Sequence, residues 1–284
     1  MATAEILQAE ARQRPRMTVV AIVAAIFTLL GSLVARIAAG SPPDNLPAAL
    51  LFYHDNQASQ YVSAACSVIG ALAIAVVLDF LYRATKARNP ELPKQIRPLP
   101  WIGGIGVAIF TIAYQIVLGV NVAHFATRGS QTYEEARKAI DAGVPPLLGL
   151  VVQLALALAI VMISINAMRV GLLTRFLGYL GVISGALFVL MFVPIPIVQA
   201  YWLGALAMLF AGRTPSGTPP AWQSGEAIPW PSSAEMREQR VLAAEARRGG
   251  TPAGDEVVEG SAADVESDDL PGLTPPQRKK RKRR

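Results

Sequence analysis

Residues 169–213 read R-V-G-L-L-T-R-F-L-G-Y-L-G-V-I-S-G-A-L-F-V-L-M-F-V-P-I-P-I-V-Q-A-Y-W-L-G-A-L-A-M-L-F-A-G-R, with no charged side chain between Arg175 and Arg213. As a single helix rising about 1.5 Å per residue, this run would far exceed the roughly 30 Å hydrocarbon core of a bilayer. It also contains Pro194 and Pro196, each of which removes a backbone donor and breaks a helix. A hairpin of two spanning helices, 176–193 and 195–211, with a very short turn at the prolines satisfies both facts. The chain therefore reads as an all-α, polytopic membrane protein.

Composition agrees with this. Hydrophobic residues make up 52% of the chain and charged residues only 16%, a balance that belongs to the membrane class and argues against a soluble domain of this length. The net charge of +6 sits in loops and tails. It points first to a cytoplasmic face beside anionic lipid and makes a nucleic-acid partner the weaker reading. Cys66 is the only cysteine, so no intramolecular disulfide can form and the redox compartment is left open.

Upstream of the hairpin the same reading gives four more spans. Residues 1–16 form a cytoplasmic segment, expected as a short polar helix stopped by Pro15, and Arg12, Arg14 and Arg16 precede the first span at 17–35. That run is longer than a signal-peptide core and no clean cleavage site follows it, so it is read as retained. The second span is 61–82, rich in small residues that let a neighbour approach closely. Asp79 and Arg83, four residues apart near its inner end, are expected to pair. Trp101 opens the third span, 101–125, whose G-G-I-G is expected to pack against another helix. Thr132 and Glu135 have the spacing of a capping box and start a short helix expected to end at Gly143. The fourth span is 144–168. On the fifth, Gly181 and Gly185 form a small-xxx-small contact face, and such faces permit a homo-oligomer.

Charge sets the orientation. With six spans and both termini inside, the inner segments carry Arg12, Arg14, Arg16, Arg83, Lys86, Arg88, Lys94, Arg97, Arg169, Arg175 and Arg213. The outer loops carry Arg128, Arg137 and Lys138, with Arg36 at a boundary. This asymmetry follows the positive-inside rule and predicts both termini on the cytoplasmic side.

Residues 213–284 read as a cytoplasmic tail, mostly disordered. A Pro-rich start with Trp222 and Trp230 is expected against the headgroups, and one exposed helix is expected at 233–248. An acidic block at 255–269 precedes a basic end at 278–284. That end, Arg278, Lys279, Lys280, Arg281, Lys282, Arg283 and Arg284, is expected to contact anionic lipid headgroups or a partner protein, at about 1 kcal/mol per residue near the surface.

Candidate chemistry is sparse. His54, Asp55 and His124 fall on the outer face and are candidate metal ligands, although they lack a ligand spacing such as H-E-x-x-H. Gln115, Gln153 and Asn166 are polar residues inside spans. They serve either as interhelical hydrogen-bond donors or as the lining of a solute path. No nucleophile–base spacing, phosphate loop or cofactor motif is present.

The stretch N-A-M-R-V-G-L-L-T-R-F-L-G-Y-L-G-V-I-S-G-A-L-F-V-L, followed by P-I-P-I-V-Q-A-Y-W-L and P-P-A-W-Q-S-G-E-A-I-P-W-P, resembles a group of uncharacterised integral membrane proteins from high-G+C, actinobacterial-type bacteria. The resemblance covers residues 166–240, and elsewhere only the layout is shared. It implies a multi-spanning inner-membrane protein and carries over no catalytic or binding residue. The expected function is a non-catalytic scaffold or regulator with a recruiting tail. The alternative is a small-solute or ion transporter or channel using the buried amides, and a membrane enzyme without a recognisable motif comes third.

Overall fold

The computed structural model describes residues 3–128, 130–141, 143, 146–189, 196–214, 217–230, 235, 237 and 241–243. Among them all regular structure is helical. The long elements are α1 (Thr3–Ala39), α3 (Gln57–Arg88), α4 (Leu99–Arg128) and α6 (Pro146–Arg169), with shorter apolar helices α7 (Arg175–Val189) and α8 (Ile197–Phe210). α2 (Leu46–Asp55), α5 (Tyr133–Ile140) and the four-residue α9 (Ala221–Ser224) complete the set, with a 3-10 turn at Lys94–Ile96. The four long helices each have the length and apolarity needed to cross a membrane. At about 1.5 Å per residue, the described residues of α7 and α8 cover about 22 and 21 Å.

One expectation changes at once. α1 runs without interruption through Pro15, so residues 1–16 are not a separate helix stopped there. A proline inside a helix costs one hydrogen bond and some ring strain, and here the polar turns before it are tethered from outside. Glu10 pairs with Arg88 and Arg14 donates to the Trp222 carbonyl. The stretch between the first two spans holds α2, which begins at an Asn45 cap with proline in its first turn. α2, α4 and α5 share a small second core of Leu50, Leu118, Val122, Phe125 and Ala136. Elsewhere local chemistry matches the reading. Thr132 accepts from the Glu135 amide at 3.4 Å, although α5 ends at Ile140, before Gly143. Asp79 and Arg83 pair at 3.0 Å.

The six apolar helices form a ring in chain order, closed by α8 against α1 and bridged internally by α3 against α6. Neighbours run antiparallel, as glycine contacts show. A Cβ on Gly103 would lie 2.5 Å from the Leu156 nitrogen, and one on Gly149 would strike the Phe110 ring. Gly104 faces Ala75 and Ala71 of α3, so the G-G-I-G run is a packing surface on two sides. Gly178, Gly181 and Gly185 face Met168, Ser164 and the Ala157 carbonyl of α6. The small-residue face of α7 is therefore filled within the chain, and a homo-oligomer contact has to use another surface.

Because the Gly103 site is bounded by backbone, it cannot yield by a rotamer change. Gly103→Ala is expected to push α4 from α6 and destabilise the protein by about 1–3 kcal/mol, read as a lower thermal midpoint in detergent. An unchanged midpoint would mean that the two helices slide freely.

The core runs through the middle of the ring, where Phe80, Leu78, Leu156, Ile160, Ile163, Trp202, Leu203 and Leu206 are almost fully buried. The outside is apolar as well. Ile105, Ile109, Ile112, Ile116 and Val120 lie at helical spacing on the outward face of α4 and remain exposed. An exposed apolar stripe of this kind is what an interaction surface such as a membrane contact presents.

The chain divides into two compact units, Met1–Pro231 and Ser232–Arg284. In the second, Glu235, Arg237 and Val241 to Ala243 are helical and exposed, within the stretch expected as a helix. The acidic block and the basic residues 278–284 lie outside the described residues, as does Pro194 with the turn of the hairpin.

Candidate functional site

The densest polar chemistry in the first unit lies at the end of the bundle where α1 begins and α3, α6 and α8 finish. α3 continues past the expected end of its span to Arg88, and Asn89-Pro90 then stops it. The following loop folds back rather than trailing into solvent. Leu92 and Ile96 are buried, and Lys86 Nζ donates to the carbonyls of Pro90 and Leu92 at 2.5 and 2.6 Å.

Arg88 is thereby carried into the interior. Its guanidinium makes a bidentate contact with Glu10, at 2.6 and 2.8 Å, and donates to the carbonyls of Ala221 and Ala84 at 2.9 Å each. The Arg88 side chain is 0% exposed and that of Glu10 only 8%. A buried ion pair of this kind is tolerated because its geometry is bidentate and the remaining donors are used.

The segment after α8 lies over this pair. It is not the start of a free tail, which corrects the expectation that the tail begins at residue 213. Trp222 is 3% exposed. Its ring stacks on Phe80 at 6.1 Å, meets Phe210 edge-on at 6.2 Å, and lies 4.4 Å from the Arg14 guanidinium. Its Nε1 donates to the Leu172 carbonyl at 2.8 Å, and Trp230 Nε1 donates to Leu173 at 2.7 Å. The Ile228 amide donates to Val170 at 3.2 Å. This close approach needs Gly171, which has φ +78° and whose Cβ would collide with the Ile228 carbonyl. Burial, opposed by Glu10 and reinforced by Arg88, lowers the pKa of Arg14 from its ordinary value. Trp222 therefore lies inside the bundle and not at the headgroups, and the half-buried Trp230 is pinned to it by its Nε1 bond.

The expected site residues are distributed differently. His54 and Asp55 end α2, whereas His124 stands on α4 beside a polar cavity of about 460 Å³ lined by Asn121, Arg128, Glu135, Lys138 and Asp141. Among the described residues no group of three or more His, Cys, Asp or Glu side chains gathers to hold a metal. Gln115 donates to the Tyr53 hydroxyl and so ties α4 to α2. Burial first, then the neighbouring Tyr61 and Tyr114, pushes the Tyr53 pKa up to about 12 against the opposing effect of that bond. Gln153 donates to the Phe188 carbonyl at 3.0 Å, joining α6 to α7. Asn166 turns back on its own helix to Met162 at 2.7 Å. The three amides are thus engaged at three separate places. From the sequence, Arg14 and Arg88 were named only as inner-face cations and Trp222 only as a headgroup contact, and Glu10 was not singled out. Their one signal there is a pair of tryptophans in a Pro-rich stretch just beyond the last apolar helix.

Comparison with protein-family models, curated proteins and solved structures found no match to this chain.

Proposed function

We propose that the protein is a six-span membrane protein of the bacterial plasma membrane with both termini in the cytoplasm. In this reading it is a non-catalytic scaffold or regulator that presents its tail from a fixed root. The observation that carries the reading is the docking of residues 217–230 by Trp222 and Trp230 against a buried Glu10–Arg88 pair. A tail that only trailed from α8 would need no such seat. Membership in the actinobacterial-type group, disorder of the tail and contact of residues 278–284 with anionic headgroups belong to the same proposal.

Support for six spans comes from the lack of charge between Arg175 and Arg213 and from the outward apolar side chains Phe176, Tyr179, Ile183, Tyr201 and Met208. Orientation is supported by the basic loops gathered at the end that holds the N-terminus.

The test is an in-membrane crosslinking pull-down comparing the full chain with one ending at Pro231. Ending at Arg213 would remove Trp222 from the core and confuse loss of a partner with loss of the fold. A partner captured only with the full chain is the expected outcome. Identical catches from both chains would reduce the tail to lipid contact and overturn the recruiting role. Reporter fusions placing the tail outside would overturn the orientation.

A further inference from the structure

We infer that the groove between α7 and α8 at the basic end is a binding site for one anionic phospholipid, with an acyl chain along Ala205 and the phosphate toward Arg213. The inference rests on the membrane reading proposed above. The groove has a volume of about 650 Å³ and is lined by Thr174, Phe176, Leu177, Tyr201, Ala205 and Met208, with Trp230 at its end. Tyr201, Ala205 and Met208 stand four and three residues apart, on one face of α8. Ala205, small between two large side chains, opens the channel. From Tyr201 to Met208 the face extends about 10 Å along the helix, enough for the upper half of an acyl chain.

Among the described residues nothing fills this place. A Cβ on the adjacent Gly204 would meet no atom within 4 Å, whereas the α7 glycines are pressed against α6. Phe176, Tyr201 and Met208 are 62%, 59% and 46% exposed, so the walls stand in the surrounding medium.

Charge selects the headgroup. Between Asp141 and Glu226 there is no acidic residue, while Arg169, Arg175 and Arg213 all fall at this end. Arg213 is exposed and adjoins Thr214, which also borders the groove. Trp230 is held by its Nε1 bond to Leu173 and lines the groove, and an aromatic ring of this type suits contact with a headgroup. A zwitterionic lipid would fit the groove by shape but would bring no net negative charge to the exposed Arg213.

The experiment is native mass spectrometry of the full chain in detergent, titrated with phosphatidylglycerol or with phosphatidylcholine of the same chains. Retention of phosphatidylglycerol is expected to be about fivefold greater, the effect of roughly one interfacial cation. Ala205→Trp, which fills the channel, is expected to remove that fivefold part of the difference and to leave only what residues 278–284 hold in every variant. Arg213→Gln, which leaves packing alone, is expected to bring phosphatidylglycerol down toward phosphatidylcholine. The tail is present in every variant, so lipid held by residues 278–284 cancels. Ala205→Leu replaces Ala205→Trp if circular dichroism shows the larger residue disturbing the helices. Equal retention of the two lipids by the unaltered protein, or unaltered retention in both Ala205 variants, would overturn the site. A changed oligomeric mass in those variants with lipid retention intact would assign the groove to a second copy and also overturn it. Recovery of the chain outside the membrane fraction would sink the membrane reading itself. Membrane recovery without lipid preference would sink only the groove.

Discussion

Trp222→Ala is expected to destabilise the protein by about 3–5 kcal/mol, the range for emptying a buried aromatic site, and to free residues 217–230 from the bundle. The ring it removes stacks on Phe80 and meets Phe210 edge-on, and its loss leaves the Leu172 carbonyl without its donor. It also uncovers Arg14, which lies over the same ring. For a unit of this size, roughly 2–4 °C per kcal/mol predicts a fall in thermal midpoint of about 6–20 °C. Circular dichroism in detergent reads the midpoint without depending on the tryptophan removed. Limited proteolysis reads the second consequence, because the bond between Ile228 and Val170 should no longer protect the segment. Trp222→Phe keeps the stack and loses only the Nε1 bond, so its cost should be about 1–3 kcal/mol, that of one buried acceptor left unmade. A midpoint unchanged by Trp222→Ala would mean that the segment lies on the bundle without holding it.

Replacing one partner of the Glu10–Arg88 pair is expected to cost a similar amount, and replacing both to cost far less. Arg88→Met leaves a carboxylate in a site where its own side chain is 8% exposed and strips donors from the carbonyls of Ala221 and Ala84. Breaking a buried pair in this way typically costs about 3–5 kcal/mol, whereas an apolar replacement of both members is often neutral or stabilising. The double variant Glu10→Leu with Arg88→Met should therefore recover most of the midpoint lost by either change alone. A double variant as unstable as the sum of the singles would show that the two residues act independently.

The pair also shows how far the sequence could be read. Arg88 was legible as a cation in a basic loop and Glu10 as part of a polar leading segment, but they stand 78 residues apart and no periodicity joins them. Trp222 and Arg14 are separated by 208. In the same way Pro15 suggested a helix end, because a local rule holds only until tertiary contacts tether both sides of it. The two histidines and Asp55 shared a face in outline, yet α2 and α4 carry them to places where no metal-binding group forms among the described residues. Gln115 and Gln153 were read correctly as interhelical donors in one of their two roles. Asn166 was not, since its own helix offered a nearer acceptor.

What the sequence determined by itself was the helical class, the four long apolar helices and the location of the basic loops. These follow from run length, proline position and charge count, all of which are properties of neighbouring residues. Only the tertiary structure decided that residues 217–230 belong to the bundle, that Arg88 lies buried and that α7 spends its glycines on α6. Each of those depends on which helix ends meet. That choice is made by close packing and by the need of buried polar groups for partners, and neither is written in any one stretch of the chain.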